Sequence, residues 1–404
     1  MNIIPRKQYI DFLSRNRNRN IIKVVSGVRR SGKSTLFSIF QDRLLNDGVE
    51  KEQIQTINFE DIAFEELLEY HALYRYIEER LVPNKWNYIF LDEIQNVPNF
   101  EKAVDSLFIK NNVDIYITGS NAYFMSGELV TLLSGRFVEL RILPLSFQEF
   151  CTAYENSNEK FTLPELYEKY TLESSFPYTL RLNGNGQDIY EYLRGIYHTV
   201  LLKDVVARMR INDVKMLESV VKYVFANIGS LMSSRKIANA MTSSGRKIDG
   251  KTVERYLQGL SDSLLIYSAE RFDLHSKEIL KFNPKYYVVD PALRFFLVGN
   301  KGRDTGHVLE NIVYLELMRR GYRVYVGAAI NGEVDFVAQK ENGLNYFQVS
   351  ESTLQPDVLE RELKPLKNIK DDYPKMLLTL EEINAEADYD GVRKMNVLKW
   401  LLKE

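Results

Sequence analysis

Gly27-Val28-Arg29-Arg30-Ser31-Gly32-Lys33-Ser34 has the spacing G-x-x-x-x-G-K-[ST], the P-loop pattern, and Thr35 follows it. Gly27 and Gly32 let the chain turn so that its amides converge on phosphate oxygens, and a helix starting here adds its positive end. Lys33 would neutralise the β and γ phosphates of a nucleoside triphosphate, while the Ser34 hydroxyl would ligand Mg²⁺. Gly27, Arg29, Arg30, Ser31, Gly32, Lys33, Ser34 and Thr35 therefore form the expected ATP-binding set. About sixty residues on, Tyr88-Ile89-Phe90-Leu91-Asp92-Glu93 ends an apolar run in two carboxylates. Asp92 is placed to hold Mg²⁺ with Ser34 through water, and Glu93 to polarise the attacking water.

Two further stretches could complete this chemistry. Val113-Asp114-Ile115-Tyr116-Ile117-Thr118-Gly119-Ser120-Asn121 is an apolar run closing in small polar residues, where a γ-phosphate sensor is expected, with Ser120 or Asn121 in that role. Leu132-Leu133-Ser134-Gly135-Arg136 brings an arginine to the start of the next apolar run. Arg136 could stabilise transition-state charge in its own or a neighbouring subunit, or pair with a surface carboxylate.

Positioning these groups takes strands and helices in alternation. Ile21-Ile22-Lys23-Val24-Val25 reads as a buried strand leading into the glycine loop, and Leu36, Phe37, Ile39, Phe40 and Leu44 recur at helical spacing after it. Further strands are expected at Gln53 to Phe59, at Tyr88 to Leu91, at Val113 to Ile117 and at Phe137 to Leu143, with a helix from about 64 to 81. Tyr9, Phe12 and Leu13 suggest a short amphipathic helix, and Arg15-Asn16-Arg17-Asn18-Arg19-Asn20 a solvated connector.

Composition narrows the partners. Across 404 residues the formal net charge is −2, so no global basic field draws nucleic acid, and any such contact must come from a local patch. One cysteine, Cys151, excludes an intrachain disulfide framework and suits a reducing, cytoplasmic setting. The four histidines have no metal-ligand spacing. Met1-Asn2-Ile3-Ile4-Pro5-Arg6-Lys7 lacks the apolar core of a secretory leader, and no apolar run approaches the roughly 18 residues of a membrane span.

The second half changes character. Residues 145 to 210 read as a helical lid or linker, broken near 154 to 163 and 183 to 188, with one helix from about 188 to 209. From 213 to about 290, three helices end in a hairpin. They are Val220 to Ile228, a second capped by Ser233 or Ser234, and a third at 249 to 260, before strands at 265 to 272 and 286 to 290. This is the pattern of a winged helix, and Lys247, Lys251 and Arg255 on or beside the third helix would offer DNA contacts. Gly306 to Leu317 then reads as a helix, followed by strands at 323 to 326, 332 to 338 and 344 to 350. That order matches a restriction-type nuclease core, in which a helix Glu, a strand Asp and a following acid-x-Lys gather a metal. Glu310 and Asp335 fit the first two roles. Gln348 and Ser350 stand where the acid and the lysine belong, so a silent scaffold is expected unless a lysine such as Lys340 or Lys364 has migrated in.

Taken together, Gly27 to Thr35, Phe90-Leu91-Asp92-Glu93-Ile94-Gln95, Thr118-Gly119-Ser120 and Ser134-Gly135-Arg136 through Pro144-Leu145-Ser146-Phe147 resemble the prokaryotic AAA-type ATPases with a C-terminal domain of unknown function. The resemblance spans nearly the whole chain. It implies an additional-strand P-loop NTPase core at 1–145, a helical lid at 146–212, a winged helix at 213–292 and a degenerate nuclease-like domain at 293–404. It also implies ATP with Mg²⁺ as cofactors. The expected function is a Mg²⁺-dependent ATPase working as a switch or motor, with a DNA- or protein-binding C-terminal half and room for homo-oligomers. The rival readings are an ATP-gated nuclease and a signalling or interaction module with negligible turnover.

Overall fold

The computed structural model describes residues 4–119, 133, 135–155, 160–299, 305–329, 332–341 and 343–403. Contacts divide the chain into two compact units, Met1–Pro144 with Asp262–Leu264, and Leu145–Ser261 with Leu265–Glu404.

In the first unit, strands β1 (Ile22–Ser26), β2 (Ile54–Asn58), β3 (Asn87–Asp92), β4 (Val113–Gly119) and β5 (Phe137–Arg141) form one sheet in the order β2-β3-β4-β1-β5. Every pairing is parallel. β4 lies between β1 and β3, which is the additional strand the sequence calls for. Helices α1 (Lys7–Arg15), α2 (Lys33–Asn46), α3 (Tyr70–Glu78) and α4 (Phe100–Phe108) cover it. A sheet buried on both faces needs strands that are apolar throughout, and β1, β3 and β4 are buried at every position. The two-residue alternation sorts the side chains. Ile89 and Leu91 go with Ile22, Val24, Ile115 and Ile117 into one core that also takes Leu73, Ile77, Val104 and Leu107. Tyr88, Phe90, Val25 and Tyr116 join Leu36, Phe37, Phe40 and Leu13 in the other. There Phe37 meets Phe90 edge-on at 5.1 Å, and Phe90 stacks on Tyr116 at 4.7 Å. The helix expected over 64 to 81 is a 3₁₀ stretch, Ile62–Leu68, and then α3, because Glu69 caps a new start by accepting the His71 and Ala72 amides.

The connector 15–20 is not merely solvated. The Asn18 amide donates to Asp114 Oδ2 at 2.9 Å, Tyr88 OH donates to Asn18 Oδ1 at 2.9 Å, and Arg17 bonds Tyr88 OH and Asp47. Beneath it Lys23 and Asp114, one on each of two paired strands, form a fully buried ion pair.

The second unit opens with α5 (Phe147–Glu155), α6 (Leu163–Glu173) and α7 (Gly186–Thr199). α7 runs straight into a π-helical stretch, Val200–Ala207, within the single helix expected there. Next come α8 (Val214–Ala226), α9 (Ser234–Ser243), α10 (Gly250–Asp262) and the antiparallel hairpin β6 (Ile266–Asp273) and β7 (Ile279–Val288). Of the two caps considered for α9, Ser233 is the one that accepts the Lys236 amide. Then follow α11 (Pro291–Val298), α12 (Thr305–Arg319), β8 (Arg323–Ala329), β9 (Gly332–Lys340), β10 (Gly343–Ser350), α13 (Pro356–Lys367), β11 (Lys375–Thr379), β12 (Ala387–Tyr389), β13 (Val392–Asn396) and α14 (Val397–Leu401). Strands β6 to β13 make one mixed sheet, ordered β12-β13-β11-β10-β9-β8-β6-β7, so the hairpin is continuous with the later strands. Buried Asp290 caps α11 at the Leu293 amide and takes bonds from Ser174 and both polar groups of Ser175, which fastens the turn after α6.

Candidate nucleotide-binding site

The site lies at the C-terminal end of β1, where Ser26 gives way to the loop and Lys33 opens α2. Gly27 is required by close approach: a Cβ there would stand 2.6 Å from the Ile142 carbonyl oxygen. Gly32 takes φ 98°, a left-handed value that favours glycine, and Arg30 also turns left-handed at φ 67°. The first amides of α2 have no carbonyl partner within their own helix, so they are donors for an anion.

Lys33, Asp92 and Glu93 are all buried. Lys33 Nζ donates to the Gly27 carbonyl at 3.2 Å and lies 3.4 Å from Glu93 Oε1. Burial pushes the Asp92 carboxyl above the usual range, opposed by hydrogen bonds from the Ser34 and Thr118 hydroxyls. Thr118 joins the two acids. Its Oγ1 donates to Asp92 Oδ1 and accepts the Glu93 amide at 2.9 Å. Glu93 itself adopts φ 56°, and Gln95 Nε2 donates to its second oxygen at 2.6 Å. Arg29 reaches Glu60 at 3.2 Å, beyond β2.

These residues fit ATP and Mg²⁺. Ser31 Oγ is buried with no hydrogen-bond partner among the described residues, in a loop that already presents its amides. Ser34 and Asp92 supply the hard oxygen donors that Mg²⁺ prefers.

Ser120 and Asn121 lie outside the described residues. Arg136 is described and lies elsewhere. It precedes β5, whose first residue pairs with Ile22, whereas the P-loop follows Ser26. Four strand residues separate these levels, roughly 13 Å. Arg136 stands 3.8 Å from Asp105 on α4, the surface-carboxylate arrangement, and does not meet Lys33 within one chain.

Three participants are given no role by the sequence motifs. Thr118 and Gln95 stand inside the quoted motifs, at a strand end and two residues past the acids, without a chemical assignment. Arg6 comes from far up the chain: its guanidinium donates to the Ser31 carbonyl at 3.1 Å and to the Leu143 carbonyl at 2.7 Å. A buried arginine with two carbonyl partners leaves no local periodicity to find.

The second unit has its own cluster. Glu310 and Asp335 approach one another, as the spacing suggests, and Gln348 Oε1 accepts the Asp335 amide at 3.3 Å. Lys340 instead lies over the Tyr322 ring and Lys364 on the outer side of α13, beside Pro356 and Lys367. The lysine among the acids is Lys285, from β7. Burial pushes the Asp335 carboxyl well up, and Glu310 adds to this while Lys285 opposes it. For Lys285, desolvation is outweighed by Glu310, Asp335 and Glu333, which hold its ammonium charged.

The first unit is thus an AAA-type P-loop ATPase fold. Residues 19–151 match the family described as AAA domain, and residues 164–304 match a domain of unknown function (DUF8612). An uncharacterized protein of Haemophilus influenzae is 36% identical, with 99% of each chain covered. Another, of Methanocaldococcus jannaschii, is 34% identical over 94% of this chain and 85% of its own. This chain belongs to the family of those two uncharacterized proteins, with an AAA domain over residues 19–151. Among solved structures it resembles a Walker-type ATPase of Pyrococcus abyssi with a TM-score of 0.51 and 16% identity, covering 73% of this chain and 96% of that one, a likeness of fold. No described helix is long and apolar enough to cross a membrane.

Proposed function

We propose that the chain is a cytoplasmic, Mg²⁺-dependent ATPase that works as a nucleotide-driven switch or motor. The carrying observation is the convergence of Lys33, Ser34, Asp92, Thr118 and Glu93 at one end of the sheet. Lys33 releases Glu93 to meet the β and γ phosphates. Ser34 and Asp92 would hold Mg²⁺, which when bound neutralises charge on those phosphates. Glu93 then orients the attacking water, and Thr118 keeps both acids in register.

The second unit is the output. Helices α8, α9 and α10 with the β6–β7 hairpin act as a winged helix, and α12 with β8, β9 and β10 as a degenerate nuclease-like scaffold. Exposed Lys247, Lys251 and Arg255 on or beside α10 favour DNA as its partner, with a protein as the alternative. Arg136, distant from its own P-loop, would serve a neighbouring copy in a homo-oligomer.

A slower reading has an observation of its own. Glu93 is tied to Lys33 and to Gln95, the arrangement of a site that idles until both ties are exchanged. ATP turnover measured with and without duplex DNA tests both readings. Stimulation by DNA supports the motor, low turnover unchanged by DNA supports the switch, and no ATP binding overturns the proposal.

A further inference from the structure

Three carboxylates surround one ammonium in the second unit. Lys285 Nζ lies 2.9 Å from Glu310 Oε1 on α12, and 2.6 Å from Glu333 Oε1 and 3.9 Å from Asp335 Oδ1 on β9. The Lys285 side chain is 6% exposed. Glu333 and Asp335 are two apart on a strand and so share a face. Tyr287, two residues beyond Lys285, donates to the same Glu310 oxygen at 2.6 Å. The other Asp335 oxygen accepts the Val349 amide at 2.9 Å.

We propose that the Lys285 ammonium is a built-in cation that stands in for a divalent metal among Glu310, Glu333 and Asp335, and that it keeps this cluster closed to metal ions. The inference rests on these contacts and is independent of what the ATP site does. A divalent ion would draw the same oxygens to about 2.0–2.6 Å. It cannot share that centre with an ammonium that donates to two of the carboxylates. Nor does Lys285 swing out freely. Its strand is held on the far side by the Gly229 amide on the Tyr286 carbonyl, the Met232 amide on the Pro284 carbonyl, and a bridge between Leu231 and Lys285. A tethered cation does not dissociate, so metal at millimolar levels competes poorly. Gln348 agrees with a closed cluster: its amide nitrogen donates to Glu362 at 2.8 Å, so its carbonyl oxygen is turned back to the Asp335 amide.

The test is Mn²⁺ binding to the nucleotide-free full chain, followed by loss of the free-ion EPR signal. The expected result is that Glu310→Gln leaves wild-type Mn²⁺ binding unchanged. Lys285→Ala gains one Mn²⁺ with affinity at least about tenfold above that background, and adding Glu310→Gln removes the gain. Wild-type binding that is lost on Glu310→Gln would overturn the proposal, as would folded Lys285→Ala without the extra ion. Lys285→Met, which keeps the apolar stem, is the second variant. Should neither fold alone, recovery of native circular dichroism with Mn²⁺ but not with K⁺ supports the stand-in role, and failure to recover with Mn²⁺ overturns it.

Discussion

Lys33 Nζ and Glu93 Oε1 lie 3.4 Å apart, so the cation of the P-loop and the carboxylate that follows β3 neutralise one another at the nucleotide-binding end of the sheet. Both are buried, and on the proposed reading phosphate replaces Glu93 as the partner of Lys33. Lys33→Ala removes the charge that phosphate requires and leaves Glu93, a like charge, facing it. We expect ATP affinity to fall by about a hundredfold or more, roughly 3 kcal/mol. Calorimetric titration with ATP decides it, and unchanged affinity removes Lys33 from the site.

Glu93→Gln separates binding from chemistry. The amide keeps the size of the side chain and still accepts one hydrogen bond, but it cannot draw a proton from water. ATP should bind at least as tightly, because a negative charge near the phosphates is gone, while turnover drops on the order of ten- to a thousandfold. Turnover at the wild-type rate would move the water-directing role elsewhere; Glu60 is the next acid to test.

Thr118 is the joint between the two acids, and its hydroxyl has two partners. Thr118→Val keeps the shape and removes both bonds, leaving a buried carboxylate oxygen and a buried amide without them. A cost of about 1–3 kcal/mol in unfolding free energy follows, together with a higher Mg²⁺ requirement for turnover. Thr118→Ser should restore most of both. If denaturant midpoint and Mg²⁺ titration are the same for Val as for wild type, Thr118 does not organise the site.

What could be read from the sequence was chemistry carried by neighbours in the chain. The P-loop, the Asp92-Glu93 pair and the parallel strands follow from spacing over a few residues, and β4 falls between β1 and β3 as that reading requires. What could not be read depends on pairs distant in sequence. Lys23 looked like one charge in an apolar run, and Asp114 like another. Only the β1–β4 pairing makes them a buried ion pair beneath the connector 15–20. Arg136 depends on the same kind of information: its place beside β5 is legible, but which end of β5 lies level with the P-loop is set by the parallel register with β1. Lys285 entered the acid cluster from β7, a strand outside the nuclease-like segment in which a replacement lysine was sought.

That buried pair carries its own test. Among the described residues, Lys23→Met leaves Asp114 with the Tyr116 hydroxyl and the Asn18 amide as donors, and should cost about 3–5 kcal/mol. Adding Asp114→Leu removes the stranded charge, so the double variant should be more stable than Lys23→Met alone. Denaturant unfolding of the three proteins measures the coupling, and additive effects would mean that the pair does not act as one.

Arg6 gives the longest reach into the site. It takes a left-handed backbone at φ 46° just before α1, and its guanidinium, stacked on Tyr9 at 4.7 Å, spans the Ser31 and Leu143 carbonyls. Tyr9 OH accepts the Leu143 amide at 3.2 Å, so the same helix start braces the segment after β5 twice. Ser31 immediately precedes Gly32, where the loop turns into α2, so Arg6 fixes the carbonyl next to the amides proposed to face phosphate. Arg6→Ala should therefore loosen the loop as well as destabilise the unit. We expect a loss of about 1.5–3 kcal/mol in unfolding free energy, the scale of one hydrogen bond to a charged group. ATP affinity should weaken several-fold while the maximal turnover changes little. Arg6→Lys should not rescue it, because a single ammonium cannot span two carbonyls as the planar fork does. A lower melting temperature with unchanged ATP affinity would make Arg6 a structural pin and nothing more.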